Sequence, residues 1–467
     1  MDNKVKISLV DQSKFTSVYA RTVEAVAAFL TPKRLKLYPA AVILSMTIYS
    51  LWMSFTAAWS GTPFILTIGQ DFKGYYTGGR FFVDGRMAEL YDIEAQKEFQ
   101  ADLAIPENKL LPFIHPPYTV ILWAPFALGS YAAGLLLWWA FGLLTLALSL
   151  QLLRQELMPA GAPSTGRLLL LAFLFYPTLA WFIYAQNTAI TLLLYTLTFV
   201  LLRRGRDFEA GLALGLLLYK PQLAIALGVV LIVKRRWWAL LGGAISAGLW
   251  LAIGFAISPV AMREYAQISP LLLKLLVSLG DPDTKIWAVH TFYAFAILLL
   301  GGLWPRGADI LGITLTAGGL IGVAVGWQRI PWRSGARTWD LTMAATIALA
   351  LLISPYLFFY DLMLLLLPLA IVWSCYPQGY GAAGRPLDGG PLLAWTALLY
   401  AAAFASNLLS AAQLRLSVAL GFPQVAVQLS VPVIAGWAWI VARSARSSAA
   451  PESAARPLDE PLALAAK

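Results

Sequence analysis

The 467-residue chain has one cysteine, Cys375, and two histidines, His115 and His290. A single thiol excludes an internal disulfide and any cysteine-built metal cluster, and two imidazoles so far apart argue against a histidine-built metal site. Charge is also scarce, with Asp, Glu, Lys and Arg making up 12% of the chain, about half the roughly 25% of an ordinary soluble domain. No Walker pattern occurs, and glycine pairs such as Gly242-Gly243 sit inside apolar runs, where they read as close helix packing. ATP chemistry within this chain is therefore not expected. No basic stripe of domain size exists either, so the net charge of +10 reads as topology signal and headgroup contact, not as a nucleic-acid surface.

What is present is apolar. Hydrophobic residues make up 59% of the chain and the mean hydropathy is +0.70. Many runs are long enough for a hydrocarbon core of about 30 Å, and no ten-residue alternating pattern suggests a barrel. The expectation is an all-α polytopic membrane protein, a bundle of about 11–13 transmembrane helices, some of them short or re-entrant. Residues 1–37 form a cytoplasmic segment whose stretch from Phe15 to Leu30 either lies along the membrane surface or is a frayed soluble helix. Residues 38–442 form the membrane domain, and residues 443–467, rich in Ala, Ser and Pro, form a disordered cytoplasmic tail.

Topology follows from the basic residues. Lys33, Arg34 and Lys36 precede the run from Leu37 to Trp59, so that run reads as an uncleaved signal anchor with its basic end in the cytoplasm. Residues 60–117 are then an external loop. Apolar segments follow near 118–128, 131–153, 167–185, 187–202, 209–219, 221–233, 237–258, 286–304, 308–327, 341–353, 356–374, 391–409 and 424–442. The loops Arg203-Arg204-Gly205-Arg206 and Lys234-Arg235-Arg236 should both be cytoplasmic, yet only about 27 residues separate them. Two helices of roughly a dozen residues reach about 18 Å each, short of a full crossing. Residues 209–233 therefore read as a hairpin of broken helices with Tyr219-Lys220-Pro221-Gln222 at its tip. Crossing parity also requires that one of the four apolar segments before Arg203 does not span, and 118–128, interrupted by Pro125, is the best candidate for a re-entrant or interfacial helix. It fails again before the basic loop from Arg329 to Arg337, where either Leu271 to Leu279 adds a half-crossing or one basic loop is external.

Candidate chemistry starts at Gln70-Asp71-Phe72-Lys73-Gly74-Tyr75-Tyr76. A carboxylate sheltered by aromatic rings at a membrane surface can act as a general base toward an acceptor hydroxyl. Asp71 is equally readable as a solvated loop residue or a helix N-cap. Lys220 lies in an apolar hairpin, where a charge facing lipid costs at least about 2.5 kcal/mol. A lipid phosphate from the outer leaflet would serve as its partner, and snorkelling to the interface is the alternative. His290, Lys285 and Arg263 are weaker candidates for the same phosphate, His290 being also readable as a core histidine. Asp361, after an apolar run, either pairs with a basic group or binds acceptor.

The order of these features resembles the C-type glycosyltransferase fold, and more narrowly glycosyltransferase family 87, whose members depend on polyprenyl-phosphate sugars and are mannosyl- and arabinosyltransferase-like. The resemblance rests on Asp71 with Tyr75, Gly85 and Tyr91-Asp92, on His115-Pro116-Pro117-Tyr118, and on Gln186-Asn187 opening a span. It continues through Ala210 to Gly215 leading to Lys220-Pro221-Gln222, then Arg235-Arg236-Trp237, and Ser354-Pro355 with Tyr360-Asp361. The chain departs from the family at Tyr360, where a histidine or other polar residue is common. The resemblance implies transfer of a sugar, with inversion, from a polyprenyl-phosphate donor to a glycolipid or glycan acceptor, in the bacterial inner membrane with the site facing the periplasm. Asp71 is carried over as base and Lys220, helped by His290, as holder of the donor phosphate. Tyr75, Arg80, Asp92, His115, Tyr118, Gln186, Asn187, Gln222, Tyr360 and Asp361 would contact substrate. No cofactor and no metal is implied, although Asp71 with Asp92 leaves a loop carboxylate pair. A transporter or flippase of lipid-linked sugars would use the same lysine without bond making. The long external loop with its carboxylate favours the enzyme, because transporters usually show paired half-repeats.

Overall fold

The computed structural model describes residues 69–103, 110–159, 162–276, 279, 285–375 and 389–447, with scattered helical positions between 37 and 59. The segment expected along the membrane surface, most of the first span and the tail beyond Ser447 lie outside the described residues. The described residues are helical, and their one pairing of extended backbone is the bridge Val289–Phe358. An all-α polytopic membrane protein is what this shows.

Four helices are long and apolar enough to cross a membrane: Tyr131–Leu157 (α3), Trp237–Ile257 (α9), Pro305–Gln328 (α12) and Ala394–Ala419 within Gly389–Ala419 (α15). A fifth candidate is the pair Thr165–Phe173 (α4) and Tyr176–Tyr184 (α5), bent by 87°. Shorter elements make up the rest: Thr188–Arg203 (α6), Asp207–Gly215 (α7), Ile225–Val233 (α8), Phe292–Leu300 (α11), Arg337–Ile353 (α13), Leu366–Cys375 (α14) and Ser430–Ser447 (α16). Several of these pack on one another, α13 on α14 and α16, and others on the long helices, α6 on α3 and α7 on α9. Outward apolar residues lie on the long helices, such as Trp238, Leu241, Ile245 and Leu249 on α9 and Ile310, Ile313 and Ile321 on α12, and also on shorter ones, such as Ile232 on α8, Trp373 on α14 and Trp439 on α16.

One face is riveted by ion pairs. Arg203 at the end of α6 reaches Glu156 at the end of α3 (2.6 Å) and Asp340 at the start of α13 (3.1 Å), and Arg204 also takes Glu156 (2.7 Å). Arg236, just before α9, pairs with Asp207 at the start of α7 and lies 5.1 Å over the Trp332 ring. Lys234 donates to the Ile330 carbonyl. The basic loops 203–206, 234–236 and 329–337 therefore share one face, so neither the second nor the third is turned to the opposite side.

The short hairpin follows from this. Helices α7 and α9 both leave the basic face and run parallel, because Gly211, Gly215 and Gly242 bring their backbones together: a Cβ at Gly211 would overlap the Ala239 carbonyl, and one at Gly242 the Phe208 carbonyl. Helix α8 returns packed against α9, α12 and α13. The tip is two 3₁₀ turns, Leu216–Tyr219 and Pro221–Leu223. Its backbone carbonyls receive side-chain donors: Trp250 Nε1 to Leu216 (3.1 Å), the Tyr118 hydroxyl to Leu218 (3.0 Å) and the Tyr195 hydroxyl to Leu223. Irregular backbone at depth is tolerated when its polar groups are satisfied in this way.

Parity beyond α9 is restored at a different place from the one expected. Leu271–Leu276 is the end of a single helix, Pro259–Leu276 (α10), which begins after α9 and carries Arg263 and Glu264 on the way. The inward dip is made by residues 285–291, which descend to pair with Phe358, and by α11, which climbs back to form a hairpin with α12. The charges of α10 hold it out of the interior, whereas 286–300 is almost wholly apolar. Residues 117–127 split into a 3₁₀ turn, one α turn and a second 3₁₀ turn, too short to span.

The loop after the first span is helical. Phe72–Val83 (α1) and Ile93–Asp102 (α2) build a small core of Phe72, Tyr75, Tyr76, Phe81, Leu90, Phe113, Trp123 and Trp138 over the start of α3. Gly78 faces Phe113 so closely that a Cβ would overlap its ring. Buried Gln96 and Gln100 pin the passing strand of chain, through Phe113 N–H to Gln96 Oε1 (2.7 Å) and Gln100 Nε2 to the Leu111 carbonyl (2.9 Å).

Candidate functional site

Opposite the basic face, the end of α5, the start of α6, the hairpin tip after α7 and the turn after α13 converge on the start of α1. The backbone N–H groups of Gly69 and Asp71 donate to the carbonyls of Ile183 (3.0 Å) and Tyr184 (3.2 Å), which ties the loop to the end of α5. Helix α5 stops at Ala185, whose φ of +55° is left-handed. The following Gln186 is held by its own N–H to Trp181 O (3.1 Å) and by Trp181 Nε1 to its carbonyl (2.6 Å).

Asp71 stands at the N-cap position of α1 but its carboxylate makes no cap bond. It accepts instead from Gln186 Nε2, at Oδ2 (2.5 Å), while Gln186 Oε1 accepts from the Tyr75 hydroxyl (2.6 Å). Tyr75 is fixed by stacking on Trp123, 4.6 Å between centroids. Asp71 Oδ1 is left out of these bonds. Burial pushes the Asp71 carboxyl up to about 6, against the pull of the Gln186 hydrogen bond and the charges of Lys285 and Lys73, and with some help from Asp361. An aspartate so placed is ionised at neutral pH and still basic enough to take a proton.

The second half of the site is an ion pair. Lys220 Nζ donates to Asp361 Oδ1 (2.9 Å), and the Thr188 hydroxyl donates to the same oxygen (2.5 Å). Both charges are buried, Lys220 at 7% and Asp361 at 5% exposure. The partner that Lys220 requires is thus supplied from within the chain. Half-buried His115 lies 5.2 Å from the Tyr75 ring; burial, then the nearby Lys220 charge, lowers it to about 3, so it is a neutral group at working pH. Tyr360 is buried between Tyr184 and Phe358, Gln222 stands against the Tyr356 phenol, and Tyr118 is bonded to the hairpin tip. Asn187 is buried beside Gln186.

Four residues expected here lie elsewhere. Arg80 pairs with Asp84 (3.0 Å) and donates to the Ala127 carbonyl. Asp92 caps α2, accepting from the N–H groups of Glu94 and Ala95, which separates it from Asp71. Arg263 is exposed on α10. His290 has both ring nitrogens engaged, Nδ1 with Ser430 (2.5 Å) and Nε2 with Asn407 (2.7 Å), and its own N–H bonded to the Leu357 carbonyl (2.7 Å). It anchors the dip to α15 and α16, and so leaves the exposed Lys285 as the cation of that segment facing Asp71. Two members escape a reading of the sequence. Thr188 is the immediate successor of Gln186-Asn187, and Lys73 is buried two residues from Asp71; neighbourhood in the chain was the available signal for both. Among the described residues no group of three or more His, Cys, Asp or Glu could hold a metal ion.

The family model for glycosyltransferase family 87 matches residues 113–355, more than half of the chain. No curated protein and no solved structure matches.

Proposed function

From the membership of this chain in glycosyltransferase family 87, which makes it a multi-pass membrane glycosyltransferase, we propose that it moves a sugar, mannose or another hexose or pentose, from a polyprenyl-phosphate donor to a lipid or glycan acceptor. The acceptor hydroxyl oxygen attacks the anomeric carbon, the bond from that carbon to the phosphate oxygen breaks, and polyprenyl phosphate leaves with the electron pair. The hydroxyl proton passes to Asp71, and the new glycosidic bond has inverted configuration. The observation that carries this reading is the Asp71 carboxylate, held at Oδ2 by Gln186, unused as a helix cap and free at Oδ1.

Lys220 uses one of its three ammonium protons on Asp361; the others stabilise charge on the departing phosphate, with Lys285 at the rim. Asp71 lies on the face opposite the basic loops, which supports a site facing away from the cytoplasm, and in a bacterial inner membrane this is the periplasm. The test uses purified protein in proteoliposomes with polyprenyl-phosphate mannose, glucose and arabinose. Asp71→Asn should lower turnover by about 10²–10⁴-fold, the usual worth of a positioned base, while donor binding is kept. Turnover at the wild-type level would remove Asp71 from the base role.

A further inference from the structure

Gln186, in the turn between α5 and α6, and Thr188, the first residue of α6, each serve one of the two carboxylates of the site. Gln186 Nε2 holds Asp71 and the Thr188 hydroxyl holds Asp361, each at 2.5 Å. Between them Asn187 is 1% exposed, and neither its Oδ1 nor its Nδ2 has a hydrogen-bond partner. Asparagine commonly caps a helix, and Asn187 occupies the N-cap position of α6, yet its side chain makes no cap bond. A buried amide whose bonds stay unmade is destabilising. Native proteins keep few such groups, and each calls for a partner such as an ordered water, an ion or a bound ligand, or for a functional reason.

The missing partner must both donate and accept. A phosphate satisfies Nδ2 but repels Oδ1 and the neighbouring carboxylate, whereas a sugar hydroxyl satisfies both amide atoms. Asp361 adds an acceptor of the same kind, because Lys220 and Thr188 both donate to Oδ1 and neither uses Oδ2. With its charge balanced by Lys220, Asp361 accepts from a hydroxyl without repelling the adjacent donor phosphate.

We infer that Asn187, with Asp361 Oδ2, is the donor-sugar subsite and reads the hydroxyl on the carbon next to the anomeric centre. Asn187 directly follows the residue bonded to Asp71, and of the hydroxyls on a donor sugar the one beside the reacting carbon is closest to the base. Asn187 Nδ2 donates to that hydroxyl oxygen, and the hydroxyl donates to Asn187 Oδ1 or Asp361 Oδ2. Bonds at this position strengthen as the sugar approaches an oxocarbenium-like transition state. This inference rests on the polyprenyl-phosphate reading above.

The experiment compares the donor that turns over best, among polyprenyl-phosphate mannose, glucose and arabinose, with its 2-deoxy analogue. Wild type should favour the hydroxylated donor by about 10–100-fold in kcat/KM. Asn187→Leu should bring that ratio toward one while inhibition by sugar-free polyprenyl phosphate is unchanged, which also reports an intact fold. Asn187→Ser, which keeps one hydroxyl, should give an intermediate ratio and carries the test if the leucine variant does not fold. A wild-type ratio in both variants overturns the inference, as does inhibition by polyprenyl phosphate that weakens as much as donor use. If wild type turns over none of the three donors, the polyprenyl-phosphate reading fails and this one with it; turnover with unaltered discrimination overturns this one alone.

Discussion

Replacing Gln186 by methionine removes the N–H donor from Asp71 and keeps the length of the side chain. The lost bond is a charge-assisted one at 2.5 Å to Oδ2, and bonds of that kind contribute about 1.5–3 kcal/mol. At 1.36 kcal/mol per pKa unit, the Asp71 carboxyl should rise by about 1–2 units from its value of about 6. The sign follows from the direction of the bond, which favours the ionised form. At pH 7 the ionised fraction then falls from about nine-tenths to between a half and a tenth, a loss of about 2–10-fold in kcat/KM that base should restore. The assay is a pH profile of kcat/KM from about pH 5 to 9, whose acid limb reports the base in the free enzyme. His115 contributes no limb in this range, since it is lowered to about 3. Tyr75→Phe is the control, because it removes the phenol that orients Gln186 but leaves the amide donor in place. An acid limb in Gln186→Met that coincides with wild type, or moves to lower pH, would refute Asp71 as the group being titrated.

The buried pair predicts a non-additive stability cycle. Lys220→Met or Asp361→Leu alone should cost about 3–5 kcal/mol by stranding the opposite charge, whereas the two combined should recover most of it; tryptophan-fluorescence melting in detergent decides, and simple additivity would contradict the pairing. The contact between α7 and α9 predicts that Gly215→Ala, whose Cβ would overlap Ser246 and the Gly243 carbonyl, lowers stability by about 1–3 kcal/mol. Gly248→Ala, on the open side of α9, should leave melting unchanged.

The sequence carried the site unevenly. Asp71 was legible because a carboxylate among aromatic rings just outside a span is unusual, and Gln186-Asn187 because a polar pair opens an apolar run. Lys220 was legible as a charge needing a partner, but that the partner is Asp361 was not. The two are 141 residues apart, and which opposite charge meets a buried lysine depends on how helices pack. His290 shows the reverse: it drew notice as a rare ionisable residue, and packing engaged it with Ser430 and Asn407. Asp92 likewise looked like a site carboxylate and proved to be a cap, since a local backbone bond and a substrate bond ask for the same side chain.

Composition and run length alone determined that this chain is a helical membrane protein, because lipid leaves the backbone few ways to satisfy its polar groups and fixes how long an apolar run must be. The shared face of the basic loops 203–206 and 234–236 was determined in the same way, from positive charge near short apolar runs. Only the tertiary structure decided where the chain dips inward, that Lys220 is answered by Asp361, and that Gln186, Asn187 and Thr188 stand between two carboxylates. These are contacts between elements distant in sequence. They are set by helix direction and by glycine-permitted approach, and neither is written in any single segment.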